Sequence, residues 1–156
     1  MPDNPGRDAE KRTDAMTFKR ALFHWLPVGA YCLLIFIQSS LPSPVSTRAV
    51  PLGDKLLHLA GYALLGALFF QALRASRPTA PRRVIWRLSA LAAALYGATD
   101  ELHQAFVPTR SGDLLDLAAD AVGALLGAGL AAWIAARTAR PTRGNHRLTN
   151  LRSSYK

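Results

Sequence analysis

The stretch YGATDELHQAFVPTRSGDLLDLAAD, residues 96–120, separates two long apolar segments and decides how the chain turns. It holds five carboxylates (Asp100, Glu101, Asp113, Asp116, Asp120), His103 and Arg110. Its middle, FVPTRSGD, carries Pro108 and the Ser111-Gly112 pair, which are turn signals. A connection this short makes the segments on either side antiparallel neighbours. Asp113 and Ser111 are suited to cap the helix that follows, where negative charge meets the positive end of the helix dipole.

Working outward, four apolar segments appear. The first spans about 22–41 and carries no formal charge; the second, about 56–73, is uncharged apart from His58. Both reach the roughly 18–20 apolar residues needed to cross a bilayer core. The third, 84–106, has a clean apolar part only in LSALAAALYGAT, between Arg87 and Asp100. The fourth, 114–136, is rich in Ala, Gly and Leu but contains Asp116 and Asp120.

The charges sort by position along this pattern. The chain has 19 Lys and Arg against 10 Asp and Glu, a net charge of +9. Sixteen of the basic residues lie in the N-terminal tail, in the connection between segments two and three, or in the C-terminal tail. With four spans, those three regions share one side of a membrane. Only Arg48, Lys55 and Arg110 fall to the other side. Basic loops stay cytoplasmic, so both termini are expected inside. The six carboxylates beyond the N-terminal tail all fall at the opposite, outer ends of spans two, three and four. The fold expected is all-α: an integral membrane four-helix bundle (21–136) between a mobile cytoplasmic tail (1–20) and a basic cytoplasmic tail (137–156). The first apolar run has no small-residue cleavage pattern at its end and reads as a retained span.

Some function classes fall away at this point. The basic residues flank apolar segments and are not interleaved with aromatics, which argues against nucleic acid. Cys32 is the only cysteine, so no disulfide framework or paired-cysteine metal site is encoded.

Helical spacing gathers the polar residues into stripes. Asp54, His58 and Tyr62 stand at i, i+4 and i+8, with Lys55 bordering them. Tyr96, Asp100, His103 and Gln104 share a second face, with Glu101 rotated by about 100°. Asp113, Asp116 and Asp120 form a third stripe that continues into Gly123 and Gly127, a pattern that allows close helix approach. Asp120 lies roughly 10 Å deeper than Asp113 at the helical rise. A carboxylate at that depth must face the bundle interior or a wet cavity, protonated or paired with His58, Lys55 or Arg110. The polar run Gln38-Ser39-Ser40 ends the first span at the same level.

DKLLHLAGYALLG (54–66) and DELHQAFVPTRSGDLLDLAADAVGALLG (100–127) together resemble the VanZ-like family of small bacterial membrane proteins. The family's D-K-x-x-H-x-x-x-Y pattern falls on Asp54, Lys55, His58 and Tyr62. Its D-E-x-x-Q-x-F-x-P-x-R-x-x-D pattern falls on Asp100, Glu101, Gln104, Phe106, Pro108, Arg110 and Asp113, with Asp116 following. Asp120 stands where the family commonly has Asn, and Thr109 where it often has Gly. The resemblance implies a multi-pass protein of the bacterial inner membrane with a cell-envelope role, named after a teicoplanin-resistance protein, and implies no particular reaction.

The candidate polar pocket therefore comprises Asp54, Lys55, His58, Tyr62, Asp100, Glu101, His103, Gln104, Arg110, Asp113, Asp116 and Asp120. Its expected partners are membrane lipids and an envelope lipid-linked or glycopeptide-related ligand. Three uses of it stay open: binding such a ligand, metal-dependent or acid/base catalysis on a lipid-linked phosphate, or a polar network that only ties helices together. Neither a cofactor nor an oligomeric state follows from the sequence.

Overall fold

A computed structural model describes residues 5–42, 53–108, 110 and 112–138. Arg48, Thr109, Ser111 and the tail from 139 onward lie outside the described residues. The fold is all-helical: α1 (Pro5–Ser39), α2 (Gly53–Ser76), α3 (Arg82–Gln104) and α4 (Leu114–Thr138), with no strand among the described residues. The expected all-α architecture is thus present.

Among the described residues, three helices are long and apolar enough to cross a membrane: α1 over Leu22–Ser39, α2 and α4. The third falls short on composition, because Arg82, Arg83 and Arg87 crowd one end and Asp100 and Glu101 the other. Its 23 residues nonetheless span about 34 Å, close to the thickness of a bilayer core. The first helix starts much earlier than expected. Between Gly6 and Pro27 the chain has no Pro or Gly, and its polar run is rich in Ala, Arg, Lys and Glu, which favour helix. Residues 5–20, expected as a tail, therefore continue α1. Pro81 sets the start of α3: its carbonyl accepts the Val84 and Ile85 N–H groups, and its φ of −56° suits a helix entrance.

Contacts fix the topology. The Ser39 end of α1 meets the Asp100 end of α3, and the Lys55 end of α2 meets the Asp113 end of α4. At the opposite end Trp25 donates to Ser76 at 2.8 Å, and Phe70, Ile85 and Ala135 pack together. The helices thus run alternately up and down, with α2 and α4 parallel. One end of the bundle carries Arg74, Arg77, Arg82, Arg83, Arg87 and Arg137; the other carries the six carboxylates.

The packing is that of a protein surrounded by apolar solvent. Phe23, Leu26, Leu33, Leu64, Leu95, Leu126 and Leu130 face outward, each about half exposed or more. The interior is built from small and polar side chains, including Ala93, Ala124, Ala128, Ser89 and Asp120, around Leu65, Phe70 and Ile85. Small residues let helices approach where lipid gives no hydrophobic drive for association. The closest approach is between α2 and α4. A Cβ at Gly123 or Gly127 would run into the backbone carbonyls of Leu59 and Ala63. This close α2–α4 seam brings Lys55 and His58 within reach of α4.

Candidate functional site

The polar residues collect at the end of the bundle away from the arginines, in two linked networks. The first joins α2, α3 and α4. The Lys55 ammonium donates to Asp113 Oδ2 at 2.7 Å and to Asp116 Oδ1 at 2.8 Å. Asp113 also caps α4: its Oδ1 accepts the Leu115 N–H at 2.8 Å, and its own N–H donates to Glu101 Oε2 at 2.8 Å. The ammonium and the Leu115 N–H hold the Asp113 carboxyl below the usual aspartate range. One turn deeper, His58 Nδ1 lies 2.9 Å from Asp120 Oδ1 and 3.7 Å from Glu101 Oε1. Asp120 is fully buried, and its carboxylate sits against Gly97 of α3, where a Cβ would crowd it.

The second network joins α1 and α3. The Ser39 hydroxyl donates to Asp100 Oδ1 at 2.5 Å, and the Gln104 amide donates to Asp100 Oδ2 at 3.1 Å. Arg110 closes over the end of α1, giving its Nε–H to the Leu41 carbonyl at 3.0 Å and an Nη2–H to the Gln38 carbonyl at 3.2 Å. The Gln38 carbonyl, which also accepts the Leu41 N–H at 3.1 Å, and the Leu41 carbonyl just past α1 thus share one guanidinium, a favourable cation at a helix C-terminus.

Between the two networks is a cavity of about 60 Å³. Its polar wall comes from Asp54, His58 and Tyr62 on α2, Asp100 and Gln104 on α3, and Arg110. The α1 wall is Tyr31, Ile35, Gln38 and Ser39. Each wall mixes donors with acceptors, and the volume suits a few water-sized groups.

Of the twelve residues expected in a pocket, six line this cavity: Asp54, His58, Tyr62, Asp100, Gln104 and Arg110. Lys55, Glu101, Asp113, Asp116 and Asp120 stand behind it in the α2–α3–α4 network. His103 is set apart. Its ring lies 4.7 Å from Phe36, and its Nε2 is 3.0 Å from the Ser40 hydroxyl. Of the three partners open to Asp120, His58 is the one it meets. The α1 wall was not in the expected set. Tyr31, Ile35, Gln38 and Ser39 fall at i, i+4, i+7 and i+8, a single helix face whose polar end was visible as Gln38-Ser39-Ser40.

Two buried carboxylate oxygens, Glu101 Oε1 and Asp120 Oδ2, have no hydrogen-bond partner. Among the described residues, two groups of side chains could hold a metal ion: His58, Glu101 and Asp120, and separately Asp54, His58 and Asp116.

A family model described as VanZ/LLP1 matches residues 7–135. No curated protein and no solved structure matches the chain.

Proposed function

The chain belongs to the VanZ/LLP1 family, and on that premise we propose that it is a multi-pass protein of the bacterial cytoplasmic membrane whose polar cavity holds part of an envelope ligand. Both termini are cytoplasmic in this reading and α3 completes a fourth span. The supporting observation is the charge sorting: the arginine-rich end follows the positive-inside rule, so the carboxylate-rich end and its cavity open outward.

The cavity itself carries the functional reading. Six polar side chains from α2, α3 and the α3–α4 connection converge on it, and His58 and Asp100 do so from within the helices, where ionisable groups are a sign of function. Its size of about 60 Å³ admits a hydroxyl, amine or carbonyl end of a ligand, not a whole headgroup. The remainder of the ligand lies along the apolar outer face of the bundle. An outer-leaflet envelope lipid or a glycopeptide-related molecule meets both requirements, having a hydrogen-bonding head and, for the lipid, an apolar tail. An effect on glycopeptide susceptibility follows if this ligand is a wall precursor.

A second reading, catalysis on a lipid-linked phosphate, is favoured by the His58–Asp120 pair, which is spaced as a base and its orienting carboxylate. A network that only ties helices together is disfavoured. Interhelical polar bonds in membranes contribute about 1 kcal/mol each, and a purely structural network has no use for unpartnered buried carboxylate oxygens.

The test is a susceptibility assay in a bacterial host whose wall is accessible to teicoplanin. Wild-type protein is expected to shift the inhibitory concentration, and His58→Ala, Asp100→Asn and Arg110→Ala to abolish the shift at equal membrane levels. Full function in all three variants would dismiss the cavity as the site.

A further inference from the structure

We infer that His58, Glu101 and Asp120 form a binding site for one divalent transition-metal ion behind the cavity. The first observation is geometric. One ligand atom from each of the three lies within 4.8 Å of the other two. Ligand atoms about 2.1 Å from a tetrahedral ion lie about 3.4 Å apart. The imidazole nitrogen stands 2.9 Å from Asp120 Oδ1 and 3.7 Å from Glu101 Oε1, values that bracket that spacing.

The second observation is the unsatisfied chemistry. Glu101 is 7 % exposed and Asp120 is 0 % exposed, yet Glu101 Oε1 and Asp120 Oδ2 have no hydrogen-bond donor; Asp120 meets His58 through Oδ1, and its Oδ2 lies against Gly97. Glu101 Oε1 is the very oxygen that faces His58. Two carboxylates buried around one imidazole leave an excess of negative charge that burial strongly disfavours. A divalent cation among the three groups removes that excess.

The surroundings support the ligands as an outer shell does in metal sites. Glu101 Oε2 is fixed by the Asp113 N–H, which leaves Oε1 directed at His58. Gly97 gives the Asp120 carboxylate its space. His58 also lines the cavity, so the site borders a space of water-sized groups.

The neighbouring group, Asp54, His58 and Asp116, is the weaker choice. Asp116 Oδ1 already accepts from the Lys55 ammonium at 2.8 Å. A second cation there would be repelled by the first. The donor set, one imidazole nitrogen and two carboxylates, suits zinc or manganese better than calcium, which takes six to eight oxygens. The site depends on α2, α3 and α4 alone, so it stands whether or not the cavity takes an envelope ligand.

The test uses the full-length, tag-free chain in detergent, stripped with EDTA and titrated with zinc, then manganese, then calcium. One zinc per chain is expected, with an X-ray absorption spectrum of a nitrogen/oxygen shell containing a single imidazole. Glu101→Gln and Asp120→Asn are each expected to weaken binding by at least about tenfold, and Asp116→Asn to weaken it much less. Absence of stoichiometric binding of both zinc and manganese by the wild-type chain would overturn the site without reference to any variant. So would retention of the ion by both Glu101→Gln and Asp120→Asn, or its loss on Asp116→Asn alone.

Discussion

His58 on α2 and Asp120 on α4 meet at 2.9 Å through the bundle interior, because the glycine seam brings their helices together. The parallel α2–α4 pair therefore sets both the packing and the polar geometry. Disturbing either should be felt in the other.

Gly127→Ala places a Cβ against the Ala63 carbonyl and forces α2 and α4 apart. Overpacking of this kind costs about 1–3 kcal/mol. The melting temperature in detergent should fall. Gly129→Ala, whose Cβ meets only the Trp86 ring nitrogen at an ordinary 3.4 Å, should leave it unchanged or slightly higher.

Lys55→Met removes the cation that bridges Asp113 and Asp116. The buried Asp116 then loses the ammonium that donates to it, a loss on the order of 2 kcal/mol. Adding Asp116→Asn to Lys55→Met should recover part of the stability. A double-mutant cycle of melting temperatures measures the coupling.

Asp113 gives a pH dependence with a defined sign. Its folded-state pKa is depressed by Lys55 and the Leu115 N–H. The contribution to stability is full above the unfolded value of about 4. It is lost as pH falls through the lower, folded value. Wild-type melting temperature should therefore drop below about pH 4, and Asp113→Asn should show a shallower drop.

Orientation is tested with single cysteines in a Cys32→Ala background. Pro108→Cys, at the carboxylate-rich end, should react with an impermeant thiol reagent on intact cells. Thr79→Cys, at the arginine-rich end, should react only after lysis. The reverse pattern would place the cavity on the cytoplasmic side.

The sequence carried much of this architecture in simple physical signals. Four helices follow from apolar runs, the last two parted by the Pro108 and Gly112 turn signals, and the opposed ends follow from arginines set against carboxylates. The stripe of Asp54, His58 and Tyr62 predicts that all three share a face, and all three line the cavity. Helical period does not say which stripes meet. That Asp120 pairs with His58, while Lys55 takes Asp113 and Asp116, depends on how far α2 slides along α4, which the backbone fit of Gly123 and Gly127 determines. The α1 wall was hidden for a different reason: Tyr31 and Ile35 read as ordinary apolar span residues until Ser39 is seen to donate to Asp100. His103, promising by type, is held instead against Phe36 and Ser40.

The central claim, that the cavity holds part of an envelope ligand, is tested most directly by native mass spectrometry of the protein released from native membranes. The wild-type chain is predicted to retain a bound outer-leaflet lipid or wall precursor that is absent from Asp100→Asn and His58→Ala. An identical set of bound molecules on all three proteins would contradict it.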